Sequence, residues 1–203
     1  YKFIPVLEKN GSITKIDDYM ISQTAKLQAK WLKEGKKIVP VSVNVSRVHF
    51  LDDGLAERIR DLVDEYGLPH EYIEIELTES AFFDDKERLL ETVLKIKKYG
   101  FDVSMDDFGA GYSSLNSLKE LPLDVLKIDA GFFRNAGDST RLDAVITTII
   151  TLAKRLNMRV VAEGVEEKDQ VDFLAEKGCD MIQGYYFSKP VKAEEYREDM
   201  ENA

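Results

Sequence analysis

The fold is decided by the stretch IEIELT, residues 73–78, in which aliphatic and polar side chains alternate. Successive side chains of a strand point to opposite faces of a sheet, so one face is aliphatic and the other carries Glu74, Glu76 and Thr78. The stretches VSVNVS (41–46) and VSMD (103–106) divide in the same way. Helices on both sides of a parallel sheet require two apolar faces. These strands therefore indicate a barrel whose lumen is polar near its mouth.

Six strand candidates alternate with amphipathic helices along the chain. They are Val41–Ser46, Ile73–Thr78, Val103–Asp107, Val125–Ile128, Val160–Glu163 and Met181–Tyr185. This alternation predicts an α/β fold with a parallel sheet, either open or closed into a barrel. The sequence has no G-x-G-x-x-G after its first strand and no G-x-x-x-x-G-K-[ST], the fingerprints that would favour the open form.

A TIM barrel has eight strands, and six are visible here. We therefore expect a TIM-like (β/α) barrel that is incomplete in this chain, with its first two strands missing or lying before residue 1. Two local expectations accompany this fold. Asp17 is predicted to cap the first long helix. His49 has no partner at a metal-ligand spacing and is interpreted as a loop or surface residue.

Composition limits the classes of partner. The 203 residues include 28 Lys+Arg and 38 Asp+Glu, which gives a net charge of −10, and this length suits one domain over residues 1–203. The acidic balance argues against binding of long nucleic acid or an anionic membrane, but not against a phosphate ligand held through metal ions. The single cysteine, Cys179, allows no internal disulfide, and no apolar run approaches the ~18 residues of a membrane span. We expect a cytoplasmic domain.

Polar residues recur near the carboxyl ends of the predicted strands, where barrel enzymes build their sites. The set comprises Asn44, Glu76, Asp106, Asp107, Lys127, Glu163 and Gln183. Carboxylates and an amide that converge from separate strands make a hard-oxygen site suited to Mg²⁺ or Mn²⁺. The doublet Asp106-Asp107 suggests a carboxylate that bridges two metals, as in phosphoryl displacement. Lys127 suggests a positioned cation or a proton acceptor near the attacking water.

Each of these residues also has a structural interpretation. Glu74 and Glu76 are compatible with an exposed edge strand, and Asp106 and Asp107 with caps of the following Gly-rich turn. Lys127 is compatible with a structural ion pair. Solvation alone does not explain why one polar residue recurs at the same depth in successive strands, and the joint pattern favours a site.

At these residues the chain resembles the EAL family, the phosphodiesterases and receptors of cyclic di-GMP. The matching strings are FIPVLEKNG (3–11), SVNVSR (42–47), EIELTES (74–80), MDDFGAGYSSL (105–115), LKID (126–129), VVAEGVE (160–166) and QGYYFSKP (183–190). The resemblance covers almost the whole chain. It implies a modified TIM barrel that hydrolyses cyclic di-GMP to linear pGpG with two divalent cations, Mg²⁺ or Mn²⁺.

The resemblance also implies roles for individual residues. It implies that the metal ligands are Asn44, Glu76, Asp106, Asp107 and Glu163. Asp106 is shared by both ions. Lys127 orients or deprotonates the attacking water, and Glu163 and Gln183 contribute to the metal-and-water network. The guanine and phosphate groups are held near Asn44, Glu166, Tyr185, Phe187 and Pro190. Glu79 anchors the loop 108–115, which lies near the family's homodimer contact.

The tripeptide Glu-Ala-Leu that names the family is absent from these residues. In the family it precedes the FIP segment, and its glutamate is a metal ligand. We therefore expect an EAL domain without its N-terminal portion, with little or no activity in the residues given. Family members commonly follow a diguanylate cyclase-like domain or a membrane sensor, so the full-length protein could be membrane-anchored. The alternatives are a non-catalytic cyclic di-GMP receptor or regulatory module, and a hydrolase of another phosphodiester.

Overall fold

The computed structural model describes residues 4–83, 85–109, 115–132 and 140–195, apart from the side chains of Glu79, Phe83 and Glu194. The chain divides into two compact units. Unit 1 contains the described residues 4–106 and 115–125. Unit 2 contains 107–109, 126–132 and 140–195.

Six strands and seven α-helices are present among the described residues. The strands are β1 (Val41–Asn44), β2 (Ile73–Thr78), β3 (Asp102–Phe108), β4 (Val125–Ile128), β5 (Arg159–Ala162) and β6 (Met181–Ile182). The helices are α1 (Ile4–Lys9), α2 (Ile13–Lys33), α3 (Leu55–Asp64), α4 (Lys86–Lys98), α5 (Leu115–Glu120), α6 (Thr140–Arg155) and α7 (Lys168–Glu176). The strand order follows the chain from β1 to β6, and the pairs β1/β2, β2/β3 and β5/β6 are parallel. The predicted α/β fold and all six predicted strands are confirmed, with ends that differ by a few residues.

The core of unit 1 forms on the aliphatic faces of its strands. Ile73, Ile75 and Leu77 of β2 are fully buried, as are Val103 and Met105 of β3. Burial of each such side chain contributes roughly 1.5–3 kcal/mol.

The polar face of β2 is buried as well, because Glu74 and Glu76 are only 5% and 4% exposed. The hydroxyl of Ser42 donates to Glu74 Oε1 over 2.9 Å. The interpretation of these glutamates as exposed residues of an edge strand is therefore wrong, since β2 lies between β1 and β3.

An aspartate, a lysine and a valine make the same contacts at the amino end of one strand in each unit, and we call this group of three residues a clamp. In unit 1, Asp124 accepts from the amide of Val103 (2.9 Å) and from Lys97 Nζ, and its own amide donates to Val103 O (2.8 Å). In unit 2, Asp180 accepts from the amide of Val160 (2.7 Å) and from Lys154 Nζ, and its amide donates to Val160 O (3.2 Å). In both, the lysine stands near the end of a helix, six residues before the valine.

The start of the first long helix differs from the prediction. Helix α2 begins at Ile13 after Ser12, and Asp17 lies inside the helix, buried. Asp17 is therefore not an N-cap, because its carboxylate contacts the segment that follows β1 instead of the helix amides. Helix α4 is capped by Asp85, which accepts from the amide of Arg88 (3.2 Å).

A search of the helices within the described residues finds none with the length and apolar character needed to span a membrane.

Candidate active site

In unit 1, three oxygen-bearing side chains stand at the carboxyl ends of neighbouring strands. Asn44 is the last residue of β1 and pairs in register with Glu76 of β2. Glu76 in turn pairs with Ser104 of β3, and Asp106 follows two residues later on the same face of that strand. Because paired strands lie about 4.8 Å apart, Asn44 and Glu76 are direct neighbours. The structure thus places Asn44, Glu76 and Asp106 on adjacent strands, as the sequence predicts.

The polarity of this group suits a cation. Asp106 Oδ1 is buried, and within the described part of the chain it has no hydrogen-bond partner. An isolated buried carboxylate oxygen is costly, and a positive ion removes that cost. Glu76 adds a buried carboxylate and Asn44 an exposed amide. Oxygen ligands of this kind are the ones that Mg²⁺ and Mn²⁺ prefer, so the residues fit a divalent metal.

Across residues 4–83, 85–109, 115–132 and 140–195, no group of three or more His, Cys, Asp or Glu side chains is arranged to hold an ion. Asn44, an amide, is not one of these residue types.

The end of β3 contains two residues with positive φ. Asp107 is exposed with φ of 54°, and Gly109 has φ of 97°. A Cβ on Gly109 would lie 1.5 Å from the ring of Phe132, so only glycine fits there. Aspartate tolerates the left-handed region better than most residues, and such strained positions cluster at functional sites.

In unit 2, Lys127 and Glu163 form a buried ion pair at the ends of β4 and β5. Lys127 is 6% exposed, and its Nζ lies 3.2 Å from Glu163 Oε1. Glu163 directly follows β5, and its amide donates to Ile128 O (3.0 Å), which fixes where its side chain leaves the strand. A buried lysine needs a carboxylate partner. The prediction that Lys127 stands among carboxylates is therefore in accord with this contact, while its catalytic role stays a prediction.

Gln183 follows β6 next to the end of β5. Its amide donates to Ala162 O (2.8 Å) and its carbonyl accepts from Val165 N (3.1 Å). The next residue, Gly184, passes so close that a Cβ would lie 2.0 Å from Val165 O. Glycine is thus required where this segment meets the β5 end, and the exposed side chain of Gln183 is presented beside it.

The predicted ligand-holding residues of unit 2 are all exposed. Tyr185 and Phe187 lie in a turn after Gly184, with Lys189 Nζ 5.8 Å from the Tyr185 ring centroid, and Pro190 ends the segment. Glu166 precedes α7, and its amide donates to Gln170 Oε1 (3.0 Å). Their roles remain predictions. The side chain of Glu79 and the loop residues 110–114 lie outside what the structure describes.

Sequence reasoning missed a buried polar pair beside the β1 end. His49 is 1% exposed and contacts the buried carboxylate of Asp17 (Nδ1 to Oδ2, 3.2 Å). The interpretation of His49 as a surface residue is wrong, because a short 3-10 turn (His49–Leu51) folds it under α2. A signal for Asp17 was available: with Ile13, Ile21 and Ala25 it recurs at the four-residue spacing of a buried helix face.

Comparison with known proteins identifies the family. Residues 1–190 match the EAL domain. The chain is 34% identical over 194 residues to the bifunctional diguanylate cyclase/cyclic di-GMP phosphodiesterase MucR of Pseudomonas aeruginosa, covering 96% of this chain and 28% of MucR. It is 34% identical over 190 residues to the cyclic di-GMP phosphodiesterase NbdA of the same organism, covering 94% and 24%. The chain belongs to the EAL domain family and spans about a quarter of the length of these relatives.

Solved structures agree with this assignment. The PaMucR phosphodiesterase in complex with c-di-GMP has a TM-score of 0.87 at 34% identity, with 95% of this chain and 78% of that chain covered. The EAL enzyme Bd1971 in its cAMP- and cyclic-di-GMP-bound form has a TM-score of 0.87 at 29% identity, with 95% and 53% covered. They confirm the predicted fold class, a TIM-like α/β fold, with six strands in the part of the chain that the structure describes.

Proposed function

We propose that the protein is a metal-dependent phosphodiesterase that hydrolyses cyclic di-GMP to linear pGpG in bacterial second-messenger signalling. Its membership of the EAL family and the names of its relatives MucR and NbdA support this activity. The observation on which the proposal depends most is the buried Oδ1 of Asp106, which is without a hydrogen-bond partner among the described residues and lies on β3, the strand next to that of Glu76.

The proposed metal ligands are Asn44, Glu76, Asp106, Asp107 and Glu163, for two Mg²⁺ or Mn²⁺ ions. When bound, such ions lower the pKa of a coordinated water and neutralise charge on the phosphate.

The remaining roles belong to residues that contact water or substrate. Lys127 orients or deprotonates the attacking water, and Glu163 holds the lysine in position through their ion pair. Gln183 orients the same water. Water adds to one phosphorus, its proton passes to the basic group, and one bond from phosphorus to a 3′ oxygen breaks. That oxygen takes up a proton, which leaves the 5′-phosphate of linear pGpG.

The substrate contacts follow the segments at the end of β5 and β6. Glu166, Tyr185, Phe187 and Pro190 hold the guanine and phosphate groups, and Asn44 also touches the ligand. Exposed aromatic rings such as Tyr185 and Phe187 suit stacking against a base. The role we propose for Glu79 is to anchor the loop 108–115, which lies near the homodimer contact of the family.

The experiment is a turnover assay. The full protein is incubated with cyclic di-GMP and Mg²⁺ or Mn²⁺, and pGpG is measured by chromatography, with EDTA as the metal-free control. Formation of pGpG that stops with EDTA supports the proposal. Absence of pGpG together with tight cyclic di-GMP binding contradicts it and favours a second function.

That second function is a non-catalytic cyclic di-GMP receptor. The observation that favours it is the largely buried ion pair of Lys127 with Glu163, which gives this lysine a structural role that needs no catalysis. Calorimetric titration of the full protein distinguishes the two, because a receptor binds cyclic di-GMP with unchanged ligand recovered at the end. A competition panel of cyclic mononucleotides and dinucleotides tests whether another phosphodiester is the substrate.

A further inference from the structure

A buried polar network lies beneath the end of β1, outside the residues given roles above. Asp17 of α2 accepts the amide of Ser46 (3.0 Å) and contacts His49 Nδ1 (3.2 Å) with the same oxygen, Oδ2. Asp17 and His49 are 5% and 1% exposed. Because carboxylate oxygens only accept, Nδ1 of His49 carries the hydrogen in this contact.

Charged side chains lie between this network and the surface. His49 Nε2 is 3.8 Å from Asp18 Oδ1, beyond hydrogen-bond distance, and neither atom has a hydrogen-bond partner among the described residues. Arg58 reaches both Asp18 (3.4 Å) and Asp52 (2.9 Å). Helix α4 packs against the turn that carries His49, and it places Arg88 on Asp53 (2.6 Å). These outer ion pairs are exposed, so the buried contacts of Asp17 with the Ser46 amide and with His49 are the ones that fix one arrangement of the backbone.

That arrangement determines the path of the chain at Asn44. The amide of Val45 donates to Glu76 O over 2.9 Å, and the amide of Ser46 donates to Asp17. The two residues after Asn44 are thus held by opposite neighbours, the strand β2 and the helix α2. The amide of His49 donates in turn to Ser46 O (2.9 Å), which closes the turn.

Helix α2 also holds the other end of the same strand. Gln28, buried on the same helix face, donates from Nε2 to Val39 O over 2.6 Å, two residues before β1. One helix therefore contacts the chain before and after β1 through two buried polar side chains. Only the Asp17 contact lies next to Asn44.

We propose that Asp17, oriented by His49, is a positioning residue that fixes Asn44 for metal binding. The inference rests on the proposed function, since it assigns Asn44 to the metal. Asp17 acts through the Ser46 amide and touches neither metal nor substrate. Loss of a group that orients a metal ligand typically weakens metal affinity by about 10–100-fold.

The test compares two matched variants of the full protein, Asp17→Leu and Gln28→Leu. Each removes one buried polar contact between α2 and an end of β1. Three quantities are measured without substrate: the thermal midpoint, the Mn²⁺ dissociation constant by calorimetry, and hydrogen–deuterium exchange of the peptide that contains Val45 and Ser46. We expect Asp17→Leu to weaken Mn²⁺ binding at least ~10-fold and to speed exchange at Ser46, whereas Gln28→Leu leaves both unchanged.

Each outcome bears on the inference. Folded Asp17→Leu with wild-type Mn²⁺ affinity overturns it, as does an equal loss of affinity in Gln28→Leu, because general loosening would then explain both. If Asp17→Leu does not fold, His49→Gln decides by the same measurements, with weaker Mn²⁺ binding expected. If the wild-type protein binds no Mn²⁺, the proposed function fails. Exchange at Val45 and Ser46 then decides alone whether Asp17 holds the chain at Asn44.

Discussion

For the ion pair of Lys127 with Glu163, a contribution to stability and a contribution to catalysis are difficult to distinguish. Their contact of 3.2 Å is largely buried, with side-chain exposures of 7% and 22%. Removal of one partner of a buried ion pair costs about 3–5 kcal/mol of stability, whatever its role in a reaction. A second lysine–carboxylate pair in the same unit, Lys154 with Asp180, provides the comparison that separates the two effects.

We expect Lys127→Ala to lower turnover of cyclic di-GMP by at least ~10²-fold, as loss of a general base does. Lys154→Ala should reduce the thermal midpoint with normal turnover per folded molecule. Steady-state kinetics and thermal unfolding of both variants provide the measurement. If turnover per folded molecule is normal in Lys127→Ala, the pair is only structural.

Gly184 is a position at which the backbone leaves no room for a side chain, so that glycine is required. A Cβ there would lie 2.0 Å from Val165 O and 2.3 Å from Val165 N, both backbone atoms that cannot rotate away. Gly54 offers a contrast, because its nearest neighbour is an Asp52 side-chain oxygen at 3.5 Å, an ordinary contact.

We expect Gly184→Ala to destabilise the protein by about 1–3 kcal/mol, the usual cost of overpacking. Gly54→Ala should lie within about 1 kcal/mol of the wild-type value, with a stabilising tendency from the less flexible unfolded chain. Urea unfolding measures both. Equal stability of the two variants would contradict the close approach of residues 183–184 to Val165.

At the scale of elements, the two clamps at the amino ends of β3 and β5 join helices and strands through hydrogen bonds and an ion pair. Each joins the end of a helix, the first ladder residues of a strand and the loop before the next strand. In unit 2, burial acts to raise the pKa of Asp180, but the hydrogen bond from Lys154 and the Val160 amide outweigh it, so that the pKa lies below its usual value. The folded state therefore favours the ionised carboxylate.

The sign of the pH dependence follows from that direction. A carboxyl group with a lowered pKa in the folded state contributes stability above its unfolded pKa, which is about 3.9 for aspartate. That contribution is lost as the pH falls through the folded pKa. We expect Asp180→Asn to be less stable than the wild-type protein at pH 7, with a difference that shrinks below about pH 4. Urea unfolding at pH 7 and pH 3 checks this, and an unchanged difference at both would contradict it.

At the scale of the whole molecule, charge limits how a dinucleotide with two phosphates can bind. The chain carries a net charge of −10, and several of the proposed site residues are carboxylates. An anionic ligand approaches such a surface only where cations offset the repulsion.

Removal of divalent ions is therefore expected to weaken cyclic di-GMP binding by the full protein. We expect the Kd to rise at least ~10-fold in EDTA, the factor that 1.4 kcal/mol produces. Calorimetry in Mg²⁺ and in EDTA, at matched ionic strength, provides the test. Equal affinity in both buffers would point to a receptor that holds the ligand without metal.

The alternation of side chains predicted the strands because it reflects a purely local rule, that neighbours on a strand face opposite ways. That rule was enough to place Asn44, Glu76 and Asp106 on the polar faces of their strands, because the face that a side chain takes depends only on its position along the strand. Asp17 and His49 were missed because their burial depends on how α2 covers the turn after β1, a contact between residues 32 positions apart. The local sequence predicts an N-cap at Asp17 because an aspartate near a helix start can accept hydrogen bonds from the first backbone amides of the helix.

The clamps also set the spacing from the start of a strand to the carboxylate near its end. Asp106 and Glu163 each stand three residues beyond the valine that its clamp holds, Val103 and Val160. Each clamp fixes the position of its valine, and the three-residue spacing along the strand then determines where the carboxylate side chain lies. Inserting one residue between the clamped valine and the carboxylate would turn that carboxylate to the opposite face of the sheet. The length of the segment after each carboxylate does not enter this spacing, because the clamp lies before the carboxylate in the chain.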